Sequence, residues 1–141
     1  MQRWILRIGV GVLVTLVAIQ FVPINQSNPP VESDITTAPE VKAVLRRACY
    51  DCHSHETVWP WYSQVAPLSW LITNDVREGR AELNFSTWQR YSTQEQVKKL
   101  KESWDEVVEG AMPPWAYRVL HPEARLSEQD RALLQHWALQ R

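Results

Sequence analysis

The stretch Cys49-Tyr50-Asp51-Cys52-His53 decides the reading of this 141-residue chain. Two cysteines three positions apart lie on one face of a helix, and a histidine follows directly. C-x-x-C-H is the attachment pattern of a c-type haem. Both thiols can reach the vinyl groups along one side of a porphyrin, and the adjoining imidazole can turn under the ring to ligate iron. These are the only two cysteines of the chain. The pattern predicts one covalent haem c, held by Cys49, Cys52 and His53.

Three other readings use the same residues. A thioredoxin-like dithiol needs a strand-to-helix junction in a βαβ unit, and no alternating, strand-type pattern accompanies the motif. A zinc site could draw on Cys49, Cys52 and two of His53, His55 and His121, although no second histidine stands at the spacing of a finger. A disulfide would close so short a loop that it would remove little chain entropy. The haem reading is the one whose context is met: an export segment ahead, helical surroundings and a later Met-Pro pair.

Arg3 and Arg7 precede a nearly continuous apolar run that ends at Val22. From Trp4 to Val22 it approaches the roughly 20 residues needed to cross a bilayer. A cleavable signal peptide ends in small residues, whereas this run ends in Phe21-Val22-Pro23. Residues 1–22 are therefore expected to be a transmembrane signal anchor. Basic residues before the span and none just after it put the N-terminus in the cytoplasm and the remainder in the periplasm of a bacterium. Residues 23–39 hold Pro23, Pro29, Pro30 and Pro39 among Asn, Gln, Ser and Thr. This composition predicts an extended, poorly packed tether, able at about 3.1 Å per residue to hold the domain tens of ångströms from the membrane. Residues 40–141 are expected to form one haem-binding domain. A net charge of -1 excludes a strongly basic nucleic-acid binder.

That domain reads as all-α. Thr37-Ala38-Pro39-Glu40 has the form of a capping box, and Val41, Val44, Leu45 and Ala48 follow helical spacing. The haem motif closes this helix. A second helix is expected from Pro67, with Leu68, Leu71, Ile72, Val76 and Leu83 on one face. A short helical turn follows Ser86. Ser92-Thr93-Gln94-Glu95 forms another capping box, opening a helix to Glu109 that Gly110 stops. The last helix follows Ser127 and carries Leu133, Leu134 and Trp137.

Met112 is the only methionine beyond the initiator, and Pro113 and Pro114 follow it. A thioether is a common partner to histidine on haem iron, which makes Met112 the expected distal ligand, with His121 as the alternative. The acceptor for the second ring nitrogen of His53 is expected near Pro60 or Pro67. Trp59, Trp61 and Tyr62 are expected to line the ring. Trp59, Tyr62, Tyr117 and Arg118 are candidates to bond the propionates. Trp70 is expected in the core. Lys98, Lys99, Lys101, Asp105, Glu106 and Glu109 read as a solvated helix face.

From about Pro39 onward the chain resembles the bacterial haem-binding-domain family of small cytochrome c-like proteins. The resemblance rests on Cys49-Tyr-Asp-Cys-His-Ser54, Trp59-Pro-Trp-Tyr-Ser63, Ala66-Pro-Leu-Ser-Trp70, Asp75-Val-Arg-Glu-Gly-Arg80, Asn84-Phe-Ser86, Met112-Pro-Pro114 and His121-Pro122. It implies a cytochrome c-like helical fold, haem c on Cys49, Cys52 and His53, and Met112 in the family's Met-Pro position. The first helix lacks the Gly and aromatic pair usual among cytochromes c, so Val41 and Leu45 are expected to meet the Trp137 helix instead. The function expected is electron transfer by a membrane-anchored, non-enzymatic mono-haem protein with redox partner proteins. A haem-based sensor, a haem subunit of a redox enzyme and, more remotely, a zinc-binding domain are the alternatives.

Overall fold

The computed structural model describes residues 2–139; Met1, Gln140 and Arg141 lie outside the described residues. The helices are α1 (Gln2–Ala18), α2 (Pro39–Ala48), α3 (Tyr50–His53), α4 (Leu68–Glu82), α5 (Thr93–Val108), α6 (Trp115–Leu120) and α7 (Glu128–Leu139). Short 3₁₀ turns lie at Ile19–Phe21, Trp61–Gln64, Trp88–Arg90 and Pro122–Ala124. No strand forms among the described residues; the one β contact is an isolated bridge between Ser33 and Thr87. The chain is all-α, as its periodicity predicts.

α1 and its 3₁₀ extension form a 20-residue rod, Gln2–Phe21, with a mean hydropathy of 2.0. No residue of α1 is buried. The rod is long and apolar enough to cross a membrane.

Helix ends follow local chemistry. The Ser92 hydroxyl accepts from the Glu95 N–H, and the Glu95 carboxylate accepts from the Ser92 N–H, which completes a capping box at α5. Ser127 and Asp130 make the same reciprocal pair before α7. At α2 the expected box is absent. The helix begins at Pro39 with Ala38 as an N-cap lacking a side-chain bond, and the fixed φ of proline at the first position starts it instead. Gly110, at φ 78°, ends α5. Periodicity does not predict α6, because its six residues lie between Pro114 and His121-Pro122 and are too few to show a stripe.

The core joins α2, α5 and α7. Val41, Val44 and Leu45 pack in one cluster with Leu100, Val107, Leu134 and Trp137. This is the contact expected of Val41 and Leu45. Tyr50, Phe85 and Trp88 extend the cluster toward the haem motif, with Tyr50 and Phe85 stacked at 5.2 Å.

The proline-rich segment is extended, but it is packed along the domain. Ile35 is 2% exposed and belongs to the core. The Glu32 and Ser33 N–H groups donate to the Ser86 carbonyl, and the Ile35 N–H donates to that of Phe85. Asp34 accepts from the Tyr50 hydroxyl at 2.6 Å and is bonded to Lys42. Burial raises the Asp34 pKa, but the bonds from Lys42 and Tyr50 outweigh it and hold the carboxyl below its ordinary value of 3.8. Backbone polarity explains the packing: prolines prevent a helix here, and the free N–H and C=O groups find partners on the loop at 84–88.

If the segment is part of the fold, Ile35→Ala should cost about 2–4 kcal/mol of stability by cavity formation, read by denaturant unfolding. A loose tether would give less than about 0.5 kcal/mol. The Asp34 contribution is complete above 3.8 and is lost as pH falls through the lowered folded value. Asp34→Asn should therefore remove part of the destabilisation seen on acidification below that pH.

Candidate haem site

α2 does not run into the haem motif. Cys49 takes φ -128°, breaking the helix, and Tyr50–His53 forms a separate turn. The Cys52 and His53 N–H groups both bond back to the Cys49 carbonyl, at 3.2 and 2.9 Å. Tyr50, at the start of this turn, is 2% exposed and belongs to the core. Cys49 and Cys52 are free and half-buried. Burial pushes each thiol up to about 12, so both are protonated at neutral pH. A reactive dithiol is favoured by the opposite shift. Among the described residues no group of three or more His, Cys, Asp or Glu is arranged to hold a metal ion, so the alternative zinc set is not assembled.

The ring of His53 is fixed from behind. Its Nδ1 lies 2.8 Å from the Gly79 carbonyl and 3.1 Å from that of Leu83. Carbonyls only accept, so Nδ1 carries the proton and Nε2 keeps its lone pair. Burial pushes the imidazole pKa down, against the smaller opposing effect of the two carbonyls. The result is a neutral, oriented imidazole, the form that ligates metals. The acceptor expected near Pro60 or Pro67 is corrected to the end of α4. Proximity in sequence favours the nearer loop, but it is α4 that packs across α3.

Gly79 makes that packing possible. A Cβ at this position would lie 2.6 Å from the Cys52 carbonyl oxygen, closer than real side chains approach. One turn of backbone therefore touches another, and the same residue supplies the carbonyl for His53. Arg80 follows and ties the neighbouring loops together. Its guanidinium donates to the Ser54 and Ser27 carbonyls, to Asn28 Oδ1 and to Thr57 Oγ1, at 2.7–2.9 Å. Both residues close the Asp75–Arg80 block of the family resemblance, but no role follows from it in sequence; a glycine inside an apolar helical pattern is itself a sign of close approach.

Asp51, between the cysteines, meets the alternative distal candidate His121 through α6. Asp51 Oδ2 accepts from the Tyr117 hydroxyl at 2.7 Å, and Asp51 Oδ1 accepts from the Val58 N–H at 2.9 Å. Tyr117 stacks on His121 at 4.2 Å. His121 Nε2 lies 2.7 Å from the Tyr62 hydroxyl and Nδ1 lies 3.1 Å from Glu123, so both its nitrogens are engaged. Met112 is 37% exposed, and its N–H is anchored on the Glu106 carbonyl at 3.1 Å. His55 holds the Pro30 carbonyl and the Asn84 amide at 2.9 Å each.

Among the propionate candidates, Tyr62 and Tyr117 are bonded within the protein. Trp59 Nε1 is a buried donor without a protein partner. Trp61 is 80% exposed and Trp70 36% exposed, so Trp70 is not the core residue expected. The charges of α5 behave as a solvated face: Lys98 pairs with Glu102 and Lys101 with Asp105. The free thiols, the oriented imidazole and the unpartnered indole fit a haem.

Gly79→Ala should force α4 off α3. Overpacking of this kind costs about 1–3 kcal/mol, and the expected outcome is a lower melting temperature together with a reduced haem-to-protein absorbance ratio. Unchanged loading would separate His53 orientation from this contact.

The haem-binding domain family matches residues 14–140. No curated protein and no solved structure matches the chain. The family match spans the oriented histidine, its cysteines, the α4 backbone that fixes them and the Met112 loop, and by it the chain belongs to the haem-binding domain family.

Proposed function

We propose that the chain is a membrane-anchored mono-haem c-type electron carrier whose haem domain lies on the periplasmic side. The observation that carries this reading is His53, whose Nδ1–H is held by two backbone carbonyls and whose Nε2 is left as a base. The haem supplies, when bound, a one-electron cycle between ferrous and ferric iron. Cys49 and Cys52 would hold it as thioethers. Each S–H adds across a vinyl, sulfur bonding one carbon and hydrogen the other, with no change in electron count.

Met112 would be the distal ligand. Its loop is anchored to the end of α5 through Glu106, whereas His121 would have to give up bonds to Tyr62 and Glu123. Trp59 Nε1 offers a donor for a propionate carboxylate. Gln2–Phe21 would be the span, with Arg3 and Arg7 keeping its start in the cytoplasm. The role is that of a carrier that exchanges electrons with redox partner proteins and turns over no substrate.

Protein matured in a host with haem-attachment machinery should exceed the polypeptide mass by one haem and keep its pigment in acid and denaturant. The Cys49→Ala, Cys52→Ala variant should lose that pigment; covalent haem on the variant would end the reading. Met112→Ala should abolish the methionine–iron band of the oxidised protein and admit carbon monoxide to the reduced one. Met112→His should lower the reduction potential. Rapid carbon monoxide binding by the unaltered protein would favour a sensor instead.

A further inference from the structure

The apolar rod is fastened to the domain where it ends. Gln20 pairs through its whole amide with the backbone of Ala66: Nε2 donates to the carbonyl at 3.2 Å, and Oε1 accepts from the N–H at 3.0 Å. Gln26 Nε2 donates to the Ser63 carbonyl at 2.6 Å, and Asn28 Nδ2 to the Thr57 carbonyl at 2.8 Å. Three amide side chains thus lay residues 20–28 along the segment 57–66. A backbone bonded to the last turn of a membrane span lies at the level of the bilayer surface.

That segment has the composition of such a surface. From Thr57 to Asn74 there is no Asp, Glu, Lys, Arg or His, in a chain of which 22% is charged. Three of the eight tryptophans lie there; Trp61 and Trp70 are exposed, while Trp59 keeps its Nε1 buried. Trp61 is 80% exposed, Val58 75%, Leu71 60% and Leu68 47%. Water-facing surfaces of small domains normally carry charges of both signs. Uncharged surface rich in tryptophan is the chemistry of the lipid headgroup boundary, where the ring is apolar and its N–H finds water.

We propose that the face formed by residues 57–71 is seated in the interfacial layer of the bilayer that α1 spans. It rests on the reading of α1 as a span. The domain is then held in one orientation at the membrane, and an electron partner meets a fixed side of it. The occupant is lipid, because the Gln20–Ala66 pair sets the height of this face by geometry.

The test uses the full-length, haem-loaded protein in vesicles of phosphatidylcholine and phosphatidylglycerol that carry a photoactivatable group at headgroup level. Crosslinked peptides are mapped by mass spectrometry. Labelling is expected on residues 2–22 and on 57–71, and several-fold less on 115–120, where Trp115 is 73% exposed and serves as an internal reference. A Gln20→Ala, Gln26→Ala variant with an unchanged haem spectrum should lose most label from 57–71 and keep it on 2–22. Label confined to 2–22, or equal on 57–71 and 115–120, would overturn the seat. Protein that carbonate extracts from the vesicles, with 2–22 unlabelled, would overturn the span and the seat together.

Discussion

Two carbonyl oxygens near the end of one helix govern the candidate site. A buried histidine can ligate iron only if it is neutral, if its lone pair is on the correct nitrogen and if the ring does not rotate. The Gly79 and Leu83 carbonyls meet all three needs, since they accept one proton and offer none. They lie where α4 runs out: the Gly79 carbonyl accepts the last helical bond from the Leu83 N–H at 2.9 Å and takes His53 on its second lone pair, while the Leu83 carbonyl lies past the last helical turn, where carbonyls lack intrahelical partners. The partial negative charge of a helix C-terminus adds to the attraction for an N–H. Everything that brings α4 to this place is then part of the site, starting with the missing side chain at position 79.

The contact of α4 with α3 also explains the arrangement of the longer loops. Arg80 cannot leave its guanidinium unsatisfied among half-buried backbone, and its donors converge on two loops that the Asn28–Thr57 and His55–Pro30 bonds also join. One is the return from the haem motif, Ser54 to Thr57. The other is the segment descending from α1. The fork geometry of arginine suits several carbonyls at once, which a lysine could not match. Position and polarity thus reinforce each other: Gly79 lets the helix approach, and Arg80 makes the approach specific.

The helical class, the haem motif, the α5 capping box and the start of α4 are legible in the sequence because each rests on local chemistry. Ser92 and Glu95 are three residues apart, and Cys49, Cys52 and His53 sit within a single turn. What the sequence hides is long-range. The acceptor of His53 lies 26 residues away at Gly79, and backbone carbonyls have no residue type to announce them. The proline-rich segment reads as loose because its composition is that of a linker; its anchoring depends on carbonyls and on Asp34, Ile35 and Asn28 finding partners elsewhere. α6 is too short for periodicity, so the network from Asp51 through Tyr117 to His121 and Tyr62 could not be read in advance. The Thr37–Glu40 box fails for a different reason: proline two residues later starts the helix on its own.

The two residues between the cysteines are as constrained as the cysteines. Tyr50 stacks on Phe85 and places its hydroxyl against Asp34 and Lys42, binding the turn to the core below. Asp51 points the other way. Its carboxylate holds the Tyr117 hydroxyl and the Val58 N–H, binding the same turn to α6 and to the return loop. A four-residue helix has almost no intrinsic stability, because nucleation costs more than one turn returns. α3 must therefore be stabilised from outside, and the alternation of an inward tyrosine with an outward aspartate provides this from both sides. The imidazole is left free to be set by α4 alone, because the tyrosine and the aspartate of the pentapeptide carry the structural load.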